Sequence, residues 1–126
     1  MTKRILIVDD DRNIRGLIRK VLEREGKYEV AEAEDGKAAE EKLAGFRPDL
    51  VVLDIQMPGE GGYETCMHIR SLAGRKKIKI VGVSGVSGKI GDAIMTALGA
   101  DYFFEKPFNN SQFTHKIEEL LEEVEA

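Results

Sequence analysis

The chain has 126 residues, with a hydrophobic fraction of 42%, a charged fraction of 33% and a formal net charge of −4. That is enough chain for one domain with its own core and too apolar a chain for a disordered segment. The small negative charge gives no electrostatic footprint for nucleic acid, because the one dense basic stretch, Arg75-Lys76-Lys77, reads as a helix end and solvated loop.

The first predicted element is a strand, β1, from Arg4 to Val8, whose apolar run ILIV ends at Asp9, Asp10 and Asp11. Ile14, Leu17, Ile18, Val21 and Leu22 then recur at helical spacing and predict α1, with Asp11 as N-cap and Gly26 as stop. Tyr28 to Ala33 alternates as YEVAEA, the pattern of a half-buried or edge strand, β2. After a turn at Asp35-Gly36, a weaker α2 is expected from about Lys37 to Ala44, burying Ala39 and Leu43, before Gly45 and Pro48 break it. Leu50 to Leu53 is a continuous apolar run, β3, of the kind buried on both faces, and it ends in Asp54. Pro58, Gly59, Gly61 and Gly62 then force an exposed turn.

A helix, α3, follows from about Tyr63 to Leu72 with Cys66 and Ile69 inward. Ile78 to Val83 predicts β4, stopping at Ser84-Gly85. Gly88 to Leu98 predicts α4, with Ile90, Ala93, Ile94, Ala97 and Leu98 on one face and Gly99 as C-cap. Asp101 to Phe104 is a short β5 ending near Lys106-Pro107. The last helix, α5, about Asn110 to Glu123, uses Phe113, Ile117, Leu120, Leu121 and Val124 as its stripe, with Asn110 or Ser111 as N-cap. His68 and His115 fall on surface positions, and Met57 and Met67 read as packing residues.

Five β-then-α units in strict alternation imply one α/β domain over residues 1–126, a doubly wound five-stranded parallel sheet in the order 2-1-3-4-5. The unbroken apolar runs of β1, β3 and β4 suit its centre, and amphipathic β2 suits an edge. In such a sheet the strand C-termini share one rim, so Asp9, Asp10, Asp54, Ser84 and Lys106 should converge there. Carboxylates a few ångströms apart repel by roughly 1 to 4 kcal/mol per pair, which a divalent cation relieves. Hard oxygen ligands at an exposed rim suit Mg²⁺.

Asp54 could then attack phosphorus to give an aspartyl phosphate. Lys106 could neutralise one phosphoryl oxygen, Ser84 could donate its hydroxyl to another, and Gly85 would leave its backbone N–H open to the group. Metabolite phosphohydrolases also place an Asp at a strand end, but the DIQ sequence lacks their second acid two residues on.

The lone Cys66 cannot form an internal disulfide and belongs to no zinc-spaced cluster. No apolar run approaches a membrane span, and the start MTKRILIVDDD turns acidic too early for a signal peptide. A cytoplasmic setting, away from the membrane, is the expectation.

The acidic run in ILIVDDD, the LVVLDIQMPGEGGYE segment, the small hydroxyl residue in IVGVSG and the ending GADYFFEKPF resemble, in order and spacing, the receiver domain of bacterial two-component response regulators. The match covers essentially the whole chain and is chemotaxis-receiver-like. It implies a flavodoxin-like fold and a phosphorylatable signalling module in a two-component system or phosphorelay. Asp54 would take its phosphoryl group from a phosphohistidine on a sensor histidine kinase or a histidine phosphotransfer protein, and the domain would catalyse its own phosphorylation and dephosphorylation.

By the same resemblance Asp10, Asp54 and the backbone carbonyl of Gln56 would bind Mg²⁺, with Asp9 acting through a metal-bound water. Ser84 and Lys106 match the phosphate-contacting hydroxyl and lysine, and Lys106-Pro107 is a candidate cis bond. Phe103 stands at the switch aromatic position, where many members have Tyr, and the output face would be α4–β5–α5. Gln56 and Val86 would flank the path of the attacking water. The phosphodonor would dock around Ile14, Arg15 and the Pro107-Phe108 loop. The downstream protein target is open: the domain would either act by docking or relay, or form part of a larger regulator or hybrid kinase.

Overall fold

The computed structural model describes residues 2–54, 62–71, 78–85, 93 and 99–125. Gln56, Met57, the Pro-Gly loop after Asp54, Arg75 to Lys77, Val86 and, Ala93 apart, the expected α4 lie outside them. In chain order the elements are β1 (Lys3–Val8), α1 (Arg12–Glu23), β2 (Tyr28–Ala33), α2 (Gly36–Gly45), β3 (Leu50–Asp54), α3 (Gly62–Ser71), β4 (Lys79–Ser84), β5 (Tyr102–Glu105) and α5 (Asn110–Glu125). The five strands form one sheet in the order β2-β1-β3-β4-β5, every pair parallel.

The period-2 alternation of a strand sorts the core into two layers. Ile5, Ile7, Leu50, Val52, Val81 and Val83 face Ile18 and Leu22 of α1 and Phe113, Ile117, Leu120 and Leu121 of α5. Leu6, Val8, Val51, Leu53 and Ile80 face Ala39 and Leu43 of α2 and Cys66 and Ile69 of α3. Because both faces are covered, β1, β3 and β4 need apolar residues at successive positions, which is why their sequences read as unbroken runs. β2 has a helix-covered face and an open edge, so its charged residues are tolerated.

Asp11 caps α1, its side chain accepting from the N–H groups of Asn13 and Ile14, and Gly26 turns the chain away at φ +68°. Asp35 does more than turn the chain: it caps α2, which begins at Gly36. The cap of α5 lies one residue earlier than expected. Asn109 accepts from Gln112 N–H at 3.0 Å, so of the neighbouring Asn109, Asn110 and Ser111 the first is the cap.

Three apolar expectations are overturned. Leu17 is 60% exposed because it lies at the margin of the α1 stripe, where the helix borders a groove instead of the sheet. Met67 is also 60% exposed, since the inward positions of α3 are taken by Cys66 and Ile69. Ala93 is helical but exposed, outside the buried face assigned to it; a single methyl costs little in water.

Candidate functional site

Parallel pairing brings the predicted strand-end residues to one rim. Asp9 follows β1, and its N–H continues the ladder onto Ala33 O at 3.2 Å. Asp54 is the last residue of β3 and Ser84 the last of β4; both are buried. Lys106 follows β5, held in register by its N–H to Ser84 O at 2.7 Å, and its peptide bond to Pro107 is cis.

The carboxylates of Asp9, Asp10 and Asp54 each place an oxygen within 4.8 Å of the others. Asp9 is 1% and Asp54 5% exposed, whereas Asp10 faces solvent. Lys106 Nζ lies 3.1 Å from Asp9 Oδ2 and 3.6 Å from Asp54 Oδ2, so one ammonium bridges the two buried acids. Burial pushes the Asp9 carboxyl above its ordinary range, and the Asp54 charge adds to this; the Asp11 N–H on Asp9 Oδ1 and the Lys106 ammonium act the other way without cancelling it. Two buried acids and one exposed acid, all oxygen donors with a single lysine between them, fit a hard divalent cation that reaches the rim from solvent.

The structure thus gathers Asp9, Asp10, Asp54 and Lys106, with Ser84 on the adjoining strand end and Gly85 next to it. Gln56 is outside the described residues. Phe103 is half-buried against the layer that contains Ile80 and Ile69, while Tyr102 and Phe104 turn to the opposite face, where Phe104 joins the core with Phe108 and Phe113.

Arg15, expected on a docking surface, turns inward: its Nη1 donates to Asp9 O at 2.8 Å and its Nε to Glu32 Oε1 at 3.0 Å. Arg19 Nη1 donates to the other Glu32 oxygen at 2.9 Å. The available signal was the i, i+4 spacing of Arg15 and Arg19 opposite an acid on alternating β2. Elsewhere on α1, that helix and the start of α5 flank an apolar groove of about 450 Å³ lined by Ile14, Leu17, Val21, Pro107, Phe108 and Phe113.

The family model described as the response regulator receiver domain matches residues 5–118. The chemotaxis protein CheY of Bacillus subtilis is 36% identical over 121 residues, covering 96% of this chain and 99% of that protein. The transcriptional regulatory protein GlnL of the same organism is 36% identical over 126 residues, which is 97% of this chain but 38% of GlnL. The alkaline phosphatase synthesis regulator PhoP of Bacillus subtilis is 33% identical, over 99% of this chain and 51% of PhoP; the chain thus spans about half or less of these regulators.

Among solved structures, a CheY-like receiver domain protein from Methanospirillum hungatei is 34% identical with a TM-score of 0.89, covering 99% of this chain and 98% of that one. A signal receiver domain from Bermanella marisrubri is 35% identical with a TM-score of 0.85, covering 96% and 99%. With a flavodoxin-like 2-1-3-4-5 sheet and an aspartate cluster consistent with a phosphorylation site, the chain belongs to the receiver domains of two-component response regulators, phosphorylatable signalling modules.

Proposed function

We propose that this receiver accepts a phosphoryl group on Asp54 from the phosphohistidine of a sensor histidine kinase or histidine phosphotransfer protein, with Mg²⁺ in the acidic cluster. Receiver domains bind Mg²⁺ at such an aspartate cluster. The observation that carries the reading is the Asp54 carboxylate at the end of β3, with Lys106 Nζ 3.6 Å away and oxygens of Asp9 and Asp10 within 4.8 Å.

Asp9, Asp10, Asp54 and the Gln56 carbonyl would hold the cation. When bound, Mg²⁺ offsets the negative charge that acids and phosphoryl oxygens bring together. An Asp54 oxygen forms the new bond to phosphorus as the donor's N–P bond breaks, and the imidazole leaves with the electron pair and takes up a proton. Lys106, already between Asp9 and Asp54, is placed to pair with a phosphoryl oxygen. The Ser84 hydroxyl and the Gly85 N–H complete the contacts, preorganised donors being what this transfer chiefly needs. Dephosphorylation by water at the same site closes the cycle.

The groove between α1 and the start of α5 suits the donor's docking. It is apolar, it opens beside Lys106, and Leu17 stands exposed in its wall. Residues 1–126 act as one receiver unit, in the cytoplasm, without direct nucleic-acid or membrane contact; among the described residues no helix is long and apolar enough to cross a membrane. Output runs through the α4–β5–α5 face to a protein target, with Phe103 and Ser84 as the switch pair. Incubation with acetyl phosphate and Mg²⁺, followed by intact mass, is expected to add one phosphoryl group to the wild type and none to Asp54→Asn. An unmodified wild type overturns the reading.

A further inference from the structure

We infer that Arg15 is a positioning residue for the cation site: it grips the peptide joining Asp9 to Asp10, and Glu32 holds its guanidinium away from the acids. The inference rests on the reading of the acidic cluster as a Mg²⁺ site.

The Asp9 carboxylate is fixed without Arg15, since Oδ1 accepts from Asp11 N–H at 2.9 Å and Oδ2 from Lys106 Nζ at 3.1 Å. Asp10 depends on its backbone. The Asp9 carbonyl belongs to the planar peptide unit that includes the Asp10 nitrogen, so fixing that oxygen fixes the direction in which the chain enters Asp10. Arg15 Nη1 fixes it at 2.8 Å from a side chain that is only 13% exposed.

Charge is the second part of the device. A guanidinium free to swing beside three carboxylates would compete with a cation for them. Here its fork is committed elsewhere, Nη1 to a neutral carbonyl and Nε to Glu32. Glu32 is kept ionised by the hydrogen bonds from Arg19 and then Arg15, which hold its carboxyl below the usual range. The edge strand β2 therefore takes part in the site through Glu32, although it contributes no ligand of its own.

The test is the Mg²⁺ dissociation constant of the whole chain, by calorimetry or by Mn²⁺ displacement followed in electron paramagnetic resonance, for wild type, Arg15→Ala and Arg15→Lys. Removing a positive charge near the acids would by itself tighten cation binding, so the direction of change is diagnostic. Positioning predicts weakening by about tenfold or more in Arg15→Ala, as for other groups that orient metal ligands. It also predicts an acetyl phosphate reaction that recovers towards the wild-type rate at saturating Mg²⁺. Arg15→Lys keeps the charge but cannot span both acceptors, and is expected to fall between; it carries the test if the alanine variant does not fold. Affinity equal to or tighter than wild type in the folded variants overturns the inference and leaves the Mg²⁺ reading standing. No binding by the wild type overturns the Mg²⁺ reading itself.

Discussion

Asp9 shows how the site works against the fold. It is buried beside Asp54, and burial is the largest influence raising its carboxyl above the ordinary range. For a group raised in the folded state, stability is complete below the unfolded pKa and is lost as pH rises through the folded value. The penalty therefore grows as pH rises from acid towards neutrality. Asp9→Asn keeps the oxygen that accepts from Asp11 N–H and is expected to raise Tm at pH 7 without Mg²⁺. The gain should vanish in acid, and thermal melts across pH check it; an unchanged or lower Tm at pH 7 contradicts it. In sequence, Asp9, Asp10, Asp54, Ser84 and Lys106 were legible because each ends or follows an apolar run. Arg15 was not, because it acts through a main-chain carbonyl that residue spacing does not reveal.

At the scale of elements, the end of the sheet opposite the acids is held by charge. Arg70 of α3 donates to Gly99 O, Ile78 O and Asp101 Oδ2, each at 2.7 Å, tying α3 to the start of β4 and to the turn before β5. The same Asp101 oxygen accepts from Ile80 N–H at 2.8 Å, and Lys79 Nζ lies 4.0 Å from the other oxygen and 2.9 Å from Glu123 of α5. Gly99, at φ +85°, lies so close that a Cβ there would meet Arg70 Nε at 3.3 Å. Asp101→Ala leaves the Ile80 N–H without its acceptor and takes a carboxylate from Arg70, and is expected to cost about 2 to 4 kcal/mol in urea unfolding with m unchanged. A loss below about 0.5 kcal/mol contradicts this role. The strands were legible because burial on both faces demands apolar runs. Leu17 was misread because periodicity marks an apolar stripe without saying which margin becomes a groove wall, and the α5 cap because three adjacent residues can all cap.

For the whole molecule, topology links the scales. The order 2-1-3-4-5 places β1 and β3 side by side, so the acids that follow them meet, and it sets β4 and β5 next in line to bring Ser84 and Lys106 to the same rim. The parallel sheet followed from the alternation of strands and helices, and its order from the arrangement a doubly wound domain of this size most often takes, with the apolar runs of β1, β3 and β4 at the centre. What the alternation cannot specify is which rim acid takes the phosphoryl group. Burial next to Lys106 favours Asp54 over exposed Asp10, and Asp9, the other buried acid, already holds Lys106 at 3.1 Å. The most direct measurement is borohydride reduction of the acetyl-phosphate-treated protein followed by peptide mass mapping, which converts an aspartyl phosphate to homoserine where it stands. Homoserine is expected at position 54 alone; homoserine at position 9 or 10, or at no acid of the rim, would contradict Asp54 as the acceptor.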